Sequence, residues 1–309
     1  MRTSDSADIP RIDAEAAPRR KTEEGRAQGT LVLIGGACSA RGHAMRSFLD
    51  IVDERGGRLV GITAASGDEA ESGRRWTKTF RSAGVRDVSI PVFNRRDRAL
   101  DERIAESIRG AAGVFLGGGD QVKLVTALSG TRTCAAMHEL HQRGGVICGT
   151  SAGAAALSEL TMAGGEVDEE GNLVEQYIGP GLGFLGFNAI VDTHFSQRRR
   201  LQRLFLVVAA NCELFGIGID EDTALVVRGH RGEVRGAGGV TFVDGRDTVR
   251  YDNADSLKKG RQLTLSHLRV GIVGTLHELN LRARELEELV AASTGNERDQ
   301  AMRSSRGDA

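Results

Sequence analysis

The chain has 309 residues, with 41 lysines and arginines against 42 aspartates and glutamates, and this net charge of -1 lacks the basic excess of a nucleic-acid binder. Aromatic residues make up only 4% of it, too few for the stacking platforms that hold single strands. No apolar run approaches the roughly 20 residues of a membrane span, so no membrane partner is expected, and 40% apolar with 27% charged residues is ordinary for a soluble globular protein.

The polar segment 1–28 reads as a disordered tail without the apolar centre of a secretory signal. Its Arg19-Arg20-Lys21 triplet is not followed closely enough by a hydrophobic stretch to suggest twin-arginine export. One main domain is expected over 29–294 and a second disordered tail over 295–309.

From residue 31 onward, strand-like and helix-like segments alternate. Leu31-Val32-Leu33-Ile34 is a buried strand ending in Gly35-Gly36, and 44–54 carries apolar residues at helical spacing. A second strand (59–63) precedes a helix near 69–83. A third (88–93) precedes a helix around 100–111, and a fourth (113–116) precedes a helix over 122–142. Val146-Ile147-Cys148 is the fifth strand. Continuous apolar strands separated by helices describe an α/β fold with a parallel sheet covered on both faces. Further on, 189–192 reads as a strand, 197–210 as an amphipathic helix, 216–220 and 224–227 as short strands, 234–251 as hairpins, and 276–292 as a charged C-terminal helix.

The fifth strand stops on Gly149-Thr150-Ser151-Ala152-Gly153, a Gly-x-Ser-x-Gly, and an Ala-rich helix start follows. This is the layout of a nucleophile elbow, in which glycines let a serine sit on a strained turn at the strand's carboxyl end. The same pentad recurs by chance in a chain with 41 glycines, where it is a tight turn. A serine nucleophile needs a base, and a carboxylate to orient that base.

Of seven histidines, His194 closes the strand 190–194 and precedes Arg198, Arg199, Arg200 and Arg203. At a strand's carboxyl end it would share the ligand rim of one sheet with Ser151; the plain alternative is a helix-capping histidine. Arg199 and Arg203 share a helical face, with Arg198 pointing elsewhere. Such guanidinium groups suit bidentate capture of carboxylates, and composition alone leaves a solvated charged face equally open. His138 and His141, one turn apart, read as a surface helix face because no further ligand completes a metal site. For the carboxylate, Glu221 in Asp220-Glu221-Asp222 between two apolar strands is preferred over the loop cluster Glu166, Asp168, Glu169 and Glu170. The loop Gly117-Gly118-Gly119-Asp120-Gln121 lacks the Lys-Ser/Thr of a phosphate loop. Its amides, with that of Ala152, would instead form an oxyanion hole, and Gln121 would touch substrate. Cys38, Cys134, Cys148 and Cys212 are too widely spaced for a disulfide framework or a zinc site and fit a reducing cytoplasm, with Cys148 a small apolar strand residue.

Together, Gly118-Gly119-Asp120-Gln121, the Ser151 pentad, Asp192-Thr193-His194-Phe195-Ser196-Gln197-Arg198 and the 216–224 segment resemble the cyanophycinase family, from about residue 29 to about residue 281. Its members are serine exopeptidases that release β-Asp-Arg dipeptides from cyanophycin, an arginine-bearing polyaspartate, and their relatives include aspartyl dipeptidases. The resemblance implies a flavodoxin-like core related to class I glutamine amidotransferases, a homodimer, and no cofactor or metal. It also implies Ser151 as nucleophile, His194 as base and Glu221 as its orienting acid, with Gly119 and Ala152 at the oxyanion. Gln121, Asp192, Arg198, Arg200 and Arg203 match substrate-pocket positions, where the arginines would hold free aspartyl carboxylates. Thr193 stands where the family often has Gln, and Arg199 and Gln202 where Gly is common, changes that bear on specificity. The order Ser, His, Glu differs from lipases and esterases, whose acid precedes the histidine. A dipeptidase for isoaspartyl or aspartyl peptides is the alternative; a non-catalytic binding module using the glycine-rich loop is a more distant one.

Overall fold

The structure is a computed structural model that describes residues 29–93, 96–167, 173–250, 265–275 and 277–288. The expected tails 1–28 and 295–309 lie outside the described residues, as do Asp168, Glu169 and Glu170. Among the described residues no helix is long and apolar enough to cross a membrane.

The chain runs β1 (Thr30–Ile34), α1 (His43–Arg55), β2 (Arg58–Ile62), α2 (Glu69–Ser82), β3 (Val88–Ser89), a short 3-10 turn (Arg96–Leu100), α3 (Glu102–Arg109), β4 (Ala111–Leu116), α4 (Gln121–Leu128), α5 (Arg132–Gln142) and β5 (Val146–Thr150). Beyond it come α6 (Ala152–Ala155), β6 (Leu160–Val167), β7 (Leu173–Pro180), β8 (Ala189–Thr193), α7 (Leu201–Ala210), β9 (Phe215–Ile219), β10 (Thr223–Arg228), β11 (Arg231–Gly236) and β12 (Val240–Asp244). Short strands β13 (Val249–Arg250), β14 (Leu265–Ser266), β15 (Arg269–Val273), β16 (His277–Asn280) and β17 (Glu285–Glu288) complete it.

Strands β3, β2, β4 and β5 lie side by side in parallel, the order of a doubly wound flavodoxin-like sheet, and β1 takes the place beyond β5. β1 and β5 are buried along almost their whole length, which is why they read as unbroken apolar runs. Helix α1 buries Ala44, Met45, Phe48, Leu49, Ile51 and Val52, the stripe its spacing predicts. On the other side of β1 the sheet continues antiparallel through β10, β11, β16 and β17.

The expected single parallel sheet is in fact two. β15, β12, β9, β8, β6 and β7 form a second sheet, in which β8 lies parallel to β9 and β6. β9 and β10 are consecutive in sequence but belong to different sheets, so Asp220-Glu221-Asp222 is the corner where the chain crosses over. That corner explains acids placed between two apolar strands.

Other expectations are corrected too. The helix expected over 122–142 is two helices, broken at Gly130 (φ +69°) and restarted by the Thr131 hydroxyl, which accepts the Cys134 N–H at 3.2 Å. The third strand shrinks to two residues, and the helix expected from 197 starts at Leu201. The expected C-terminal helix over 276–292 is strands β16 and β17 in its described part. Its Glu, Leu, Arg and Ala favour a helix locally, but pairing of β16 with β11 buries Leu279 in the core, and that tertiary gain wins.

This terminal region is tied down through one carboxylate. Asp244 is 2% exposed and accepts hydrogen bonds from Arg246, Arg269 and Arg284. Burial alone would raise its carboxyl, but those bonds outweigh burial and hold it well below the usual carboxylate range. Removing one partner of a buried charge group leaves the others uncompensated. Asp244→Ala is therefore expected to lower the unfolding free energy by about 3 kcal/mol or more, read by urea denaturation.

Candidate active site

The site is built at the carboxyl ends of β1, β5 and β8. β5 delivers Ser151 at φ +53°, a left-handed conformation that costs a non-glycine residue of the order of 1–3 kcal/mol. The glycines on either side are needed for close approach. A β-carbon at Gly149 would run into the Gly153 carbonyl, and one at Gly153 into that of Leu116. The Ser151 carbonyl accepts the N–H groups of Ala154 (2.9 Å) and Ala155 (3.0 Å), which starts the one-turn helix α6.

β8 delivers His194, also left-handed at φ +50° and 9% exposed. Its Nε2 lies 2.9 Å from Ser151 Oγ, and its Nδ1 lies 2.6 Å from Glu221 Oε1 at the corner between the sheets. With Nδ1 protonated toward the carboxylate, Nε2 is the acceptor for the serine hydroxyl. The expected rim of one sheet is thus a seam between two, with Ser151 on the first and His194 on the second. Glu221 supplies the carboxylate contact.

Three successive carbonyls at the end of β1 register these segments. Ile34 O accepts the Ser151 N–H (2.9 Å), Gly35 O accepts that of His194 (2.7 Å), and Gly36 O accepts that of Asp222 (2.9 Å). Gly36 has φ +105°, and a β-carbon there would enter the His194 ring. The Gly35-Gly36 pair closes a strand just as the other glycine loops do, but nothing local in the sequence marks it as the floor of the histidine.

The arginine segment departs from its expected geometry. Residues 195–200 form turns, with Arg199 at φ +51°, so the helical-face argument does not apply to Arg198, Arg199 and Arg200. Arg198 and Arg199 are exposed. Asp192 is 3% exposed; its Oδ1 accepts Arg200 Nη1 at 3.0 Å, its Oδ2 accepts Arg203 Nε at 2.6 Å, and a second bond from Arg203 makes that pair bidentate. Two arginines share one carboxylate, which leaves the trio cationic. Burial lowers Arg200 from its ordinary value, as do Arg203 and Arg198, and Asp192 opposes them.

Gln121 donates Nε2 to the Met162 carbonyl at 2.5 Å, which joins α4 to β6. A β-carbon on Gly118 would lie 3.1 Å from that of Ser151, so this loop runs beside the serine. The backbone N–H groups of Gly119 and Ala152 donate to no acceptor among the described residues. Asp120 caps α4 by accepting the Val122 N–H at 2.8 Å.

His138 and His141 are not a surface face. The His138 ring stacks on Phe184 with centroids 3.9 Å apart, its Nε2 contacts the Leu182 carbonyl at 3.0 Å, and His141 is buried. Burial pushes His141 down to about 4, aided by His138, so at neutral pH it is an uncharged core residue. Among the described residues no group of histidines, cysteines and acids could hold a metal ion. Cys148 is buried, and the Cys38 thiol, raised by burial, contacts the Thr150 hydroxyl at 3.4 Å.

Residues 31–235 match the model of peptidase family S51. The chain is 34% identical over 268 residues to a cyanophycinase of Synechococcus elongatus, covering 84% of this chain and 81% of that one. It is 32% identical over 271 residues to a cyanophycinase of Trichormus variabilis, covering 86% and 89%. Among solved structures it is similar to a peptidase from an acI-B1 actinobacterium, at 25% identity and TM-score 0.56, over 72% of this chain and 93% of that one.

Two outcomes follow from the packing around the site. Gly36→Ala forces a methyl group against the imidazole, so activity is expected to fall about 100-fold while the protein stays folded, read by steady-state kinetics beside circular dichroism. Glu159, just past α6, has Oε2 buried without a partner, and burial raises its carboxyl from 4.5 to about 7. The folded state thus holds this proton more tightly, and the stability it contributes is present below pH 4.5 and lost as pH rises through about 7. Glu159→Gln is expected to raise the thermal midpoint at pH 8 and to leave it nearly unchanged at pH 4.

Proposed function

Because the chain belongs to peptidase family S51, a family of serine-type peptidases, we propose that it hydrolyses cyanophycin as an exopeptidase, releasing β-Asp-Arg through a Ser151-His194-Glu221 triad. The observation that carries this is the relay itself: a serine hydroxyl on a strained strand-to-helix turn, 2.9 Å from an imidazole that lies 2.6 Å from a carboxylate. That turn is read as a nucleophile elbow.

In the mechanism, Ser151 Oγ attacks a backbone aspartyl carbonyl as its proton passes to His194 Nε2. Glu221 keeps Nδ1–H oriented and stabilises the imidazolium. The amides of Gly119 and Ala152 receive the tetrahedral oxyanion. The intermediate collapses, the C–N bond breaks, and the departing amine takes the proton from His194. Water, deprotonated by the same imidazole, then attacks the acyl ester and regenerates the Ser151 hydroxyl.

Substrate chemistry fits the cationic cluster. In the polymer every side-chain carboxyl is joined to an arginine, so the anions on offer are not aspartyl side chains, as expected above, but the carboxylates of the arginines and of the terminal aspartate. Arg198, Arg200 and Arg203 are suited to such anions, and Asp192 pre-sets the last two in a fixed fork. Gln121, a substrate-pocket position by resemblance, is anchored on β6 through the Met162 carbonyl.

The test offers insoluble cyanophycin, β-Asp-Arg, and aspartyl and isoaspartyl dipeptides to the wild-type protein and to Ser151→Ala, with products identified by mass spectrometry. The expected result is β-Asp-Arg from the polymer, with turnover lost about 10⁴-fold or more in the variant. Cleavage of dipeptides alone would assign the dipeptidase alternative, and near-normal turnover by Ser151→Ala would overturn the triad.

A further inference from the structure

Two side chains outside the relay connect its two halves. Gln197, three residues after His194, places Oε1 to accept the Glu221 N–H at 3.1 Å. Asp220, one residue before Glu221, places Oδ1 to accept the Ser196 N–H at 2.9 Å. Each turn therefore lends a side-chain acceptor to the backbone of the other. The remaining Asp220 oxygen accepts the Gly239 N–H at 3.1 Å, and the Asp220 N–H donates to Gly239 O at 3.2 Å, which fixes the acid-bearing corner to the approach of β12.

This arrangement answers a mechanical need. His194 and Glu221 are 27 residues apart, on turns that leave different strands, and they must meet at 2.6 Å. His194 and its neighbour across the seam, Asp222, are both left-handed, at φ +50° and +46°. Strained residues persist only where surrounding bonds over-determine them. The β1 carbonyls fix the amides of His194 and Asp222 from below, but among the described residues Glu221 itself has no bond to β1. Among the described residues the Glu221 N–H has one acceptor, Gln197 Oε1.

We propose that Gln197 and Asp220 form a reciprocal latch that sets the His194–Glu221 contact. They are positioning residues that act through the histidine and its acid and do not touch substrate. The proposal rests on the hydrolase reading for its kinetic consequence, while its structural consequence stands apart from turnover.

The test compares the wild-type chain with Gln197→Met, which keeps the length of an exposed side chain but removes the acceptor, and with Asp220→Asn, which keeps one acceptor oxygen and loses the other. Three quantities are read: kcat and KM, the thermal midpoint, and the far-downfield proton resonance of the short Nδ1–H hydrogen bond to Glu221. The latch predicts that kcat falls about 10- to 100-fold in Gln197→Met, with KM changed less than about twofold and the thermal midpoint nearly retained. The downfield resonance should move upfield or exchange away, and Asp220→Asn should show the same pattern. Wild-type kcat and an unmoved resonance in folded Gln197→Met would overturn the latch. So would losses in either variant that simply track the folded fraction. A wild-type protein that carries the resonance but hydrolyses nothing would count against the hydrolase reading alone, because the resonance still reports on the latch.

Discussion

The site depends on three consecutive backbone carbonyls. Ile34, Gly35 and Gly36 end β1 and accept, in turn, the amides of Ser151, His194 and Asp222. These amides belong to three segments far apart in sequence and to two sheets. β1 sits between β5 and β10, and through these three carbonyls its carboxyl end reaches the serine turn, the histidine turn and the acid corner. Hydrogen bonds at this depth are costly to leave unmade, which makes the register stiff. Side chains mounted on such a frame lose little entropy when they converge.

The same seam explains the glycines. The carbonyls can serve three partners only if the backbone turns sharply and nothing stands between it and the imidazole. Gly36 meets both demands, with φ +105° and a ring where its side chain would be. Gly149 and Gly153 answer a different crowding, that of α6 folding back onto β5 and β4. Charge is arranged with similar economy. Asp192 and Asp244 are both buried, and each gathers arginines, but they do different things. Asp244 draws three arginines together at a corner of the fold, whereas Asp192, with Thr193 O, fixes two guanidinium groups on the segment that follows His194.

Much of this was legible in the sequence. The five parallel strands announce themselves because burial on both faces leaves no alternation, and the Ser151 pentad stands out because steric crowding demands its glycines. Glu221 was recoverable because acids between apolar strands need a reason. What could not be read was the division into two sheets, since β9 and β10 look like ordinary neighbours and only long-range pairing separates them. The arginine turn reads as a helix because its left-handed Arg199 has no local signature. The C-terminal strands read as a helix because local propensity favours one, and only burial of Leu279 in the core overrides it. The latch residues Gln197 and Asp220 look like ordinary polar loop residues until the two turns are brought together.

The central claim is that contact with His194 makes the Ser151 hydroxyl a nucleophile. The most direct measurement is covalent modification by an organophosphorus serine reagent, mapped by peptide mass spectrometry in the wild-type chain and in His194→Ala. The account predicts one adduct per chain, on Ser151, and its near-complete loss when the imidazole is removed. A wild-type chain that stays unmodified, or one labelled equally well without His194, would contradict it.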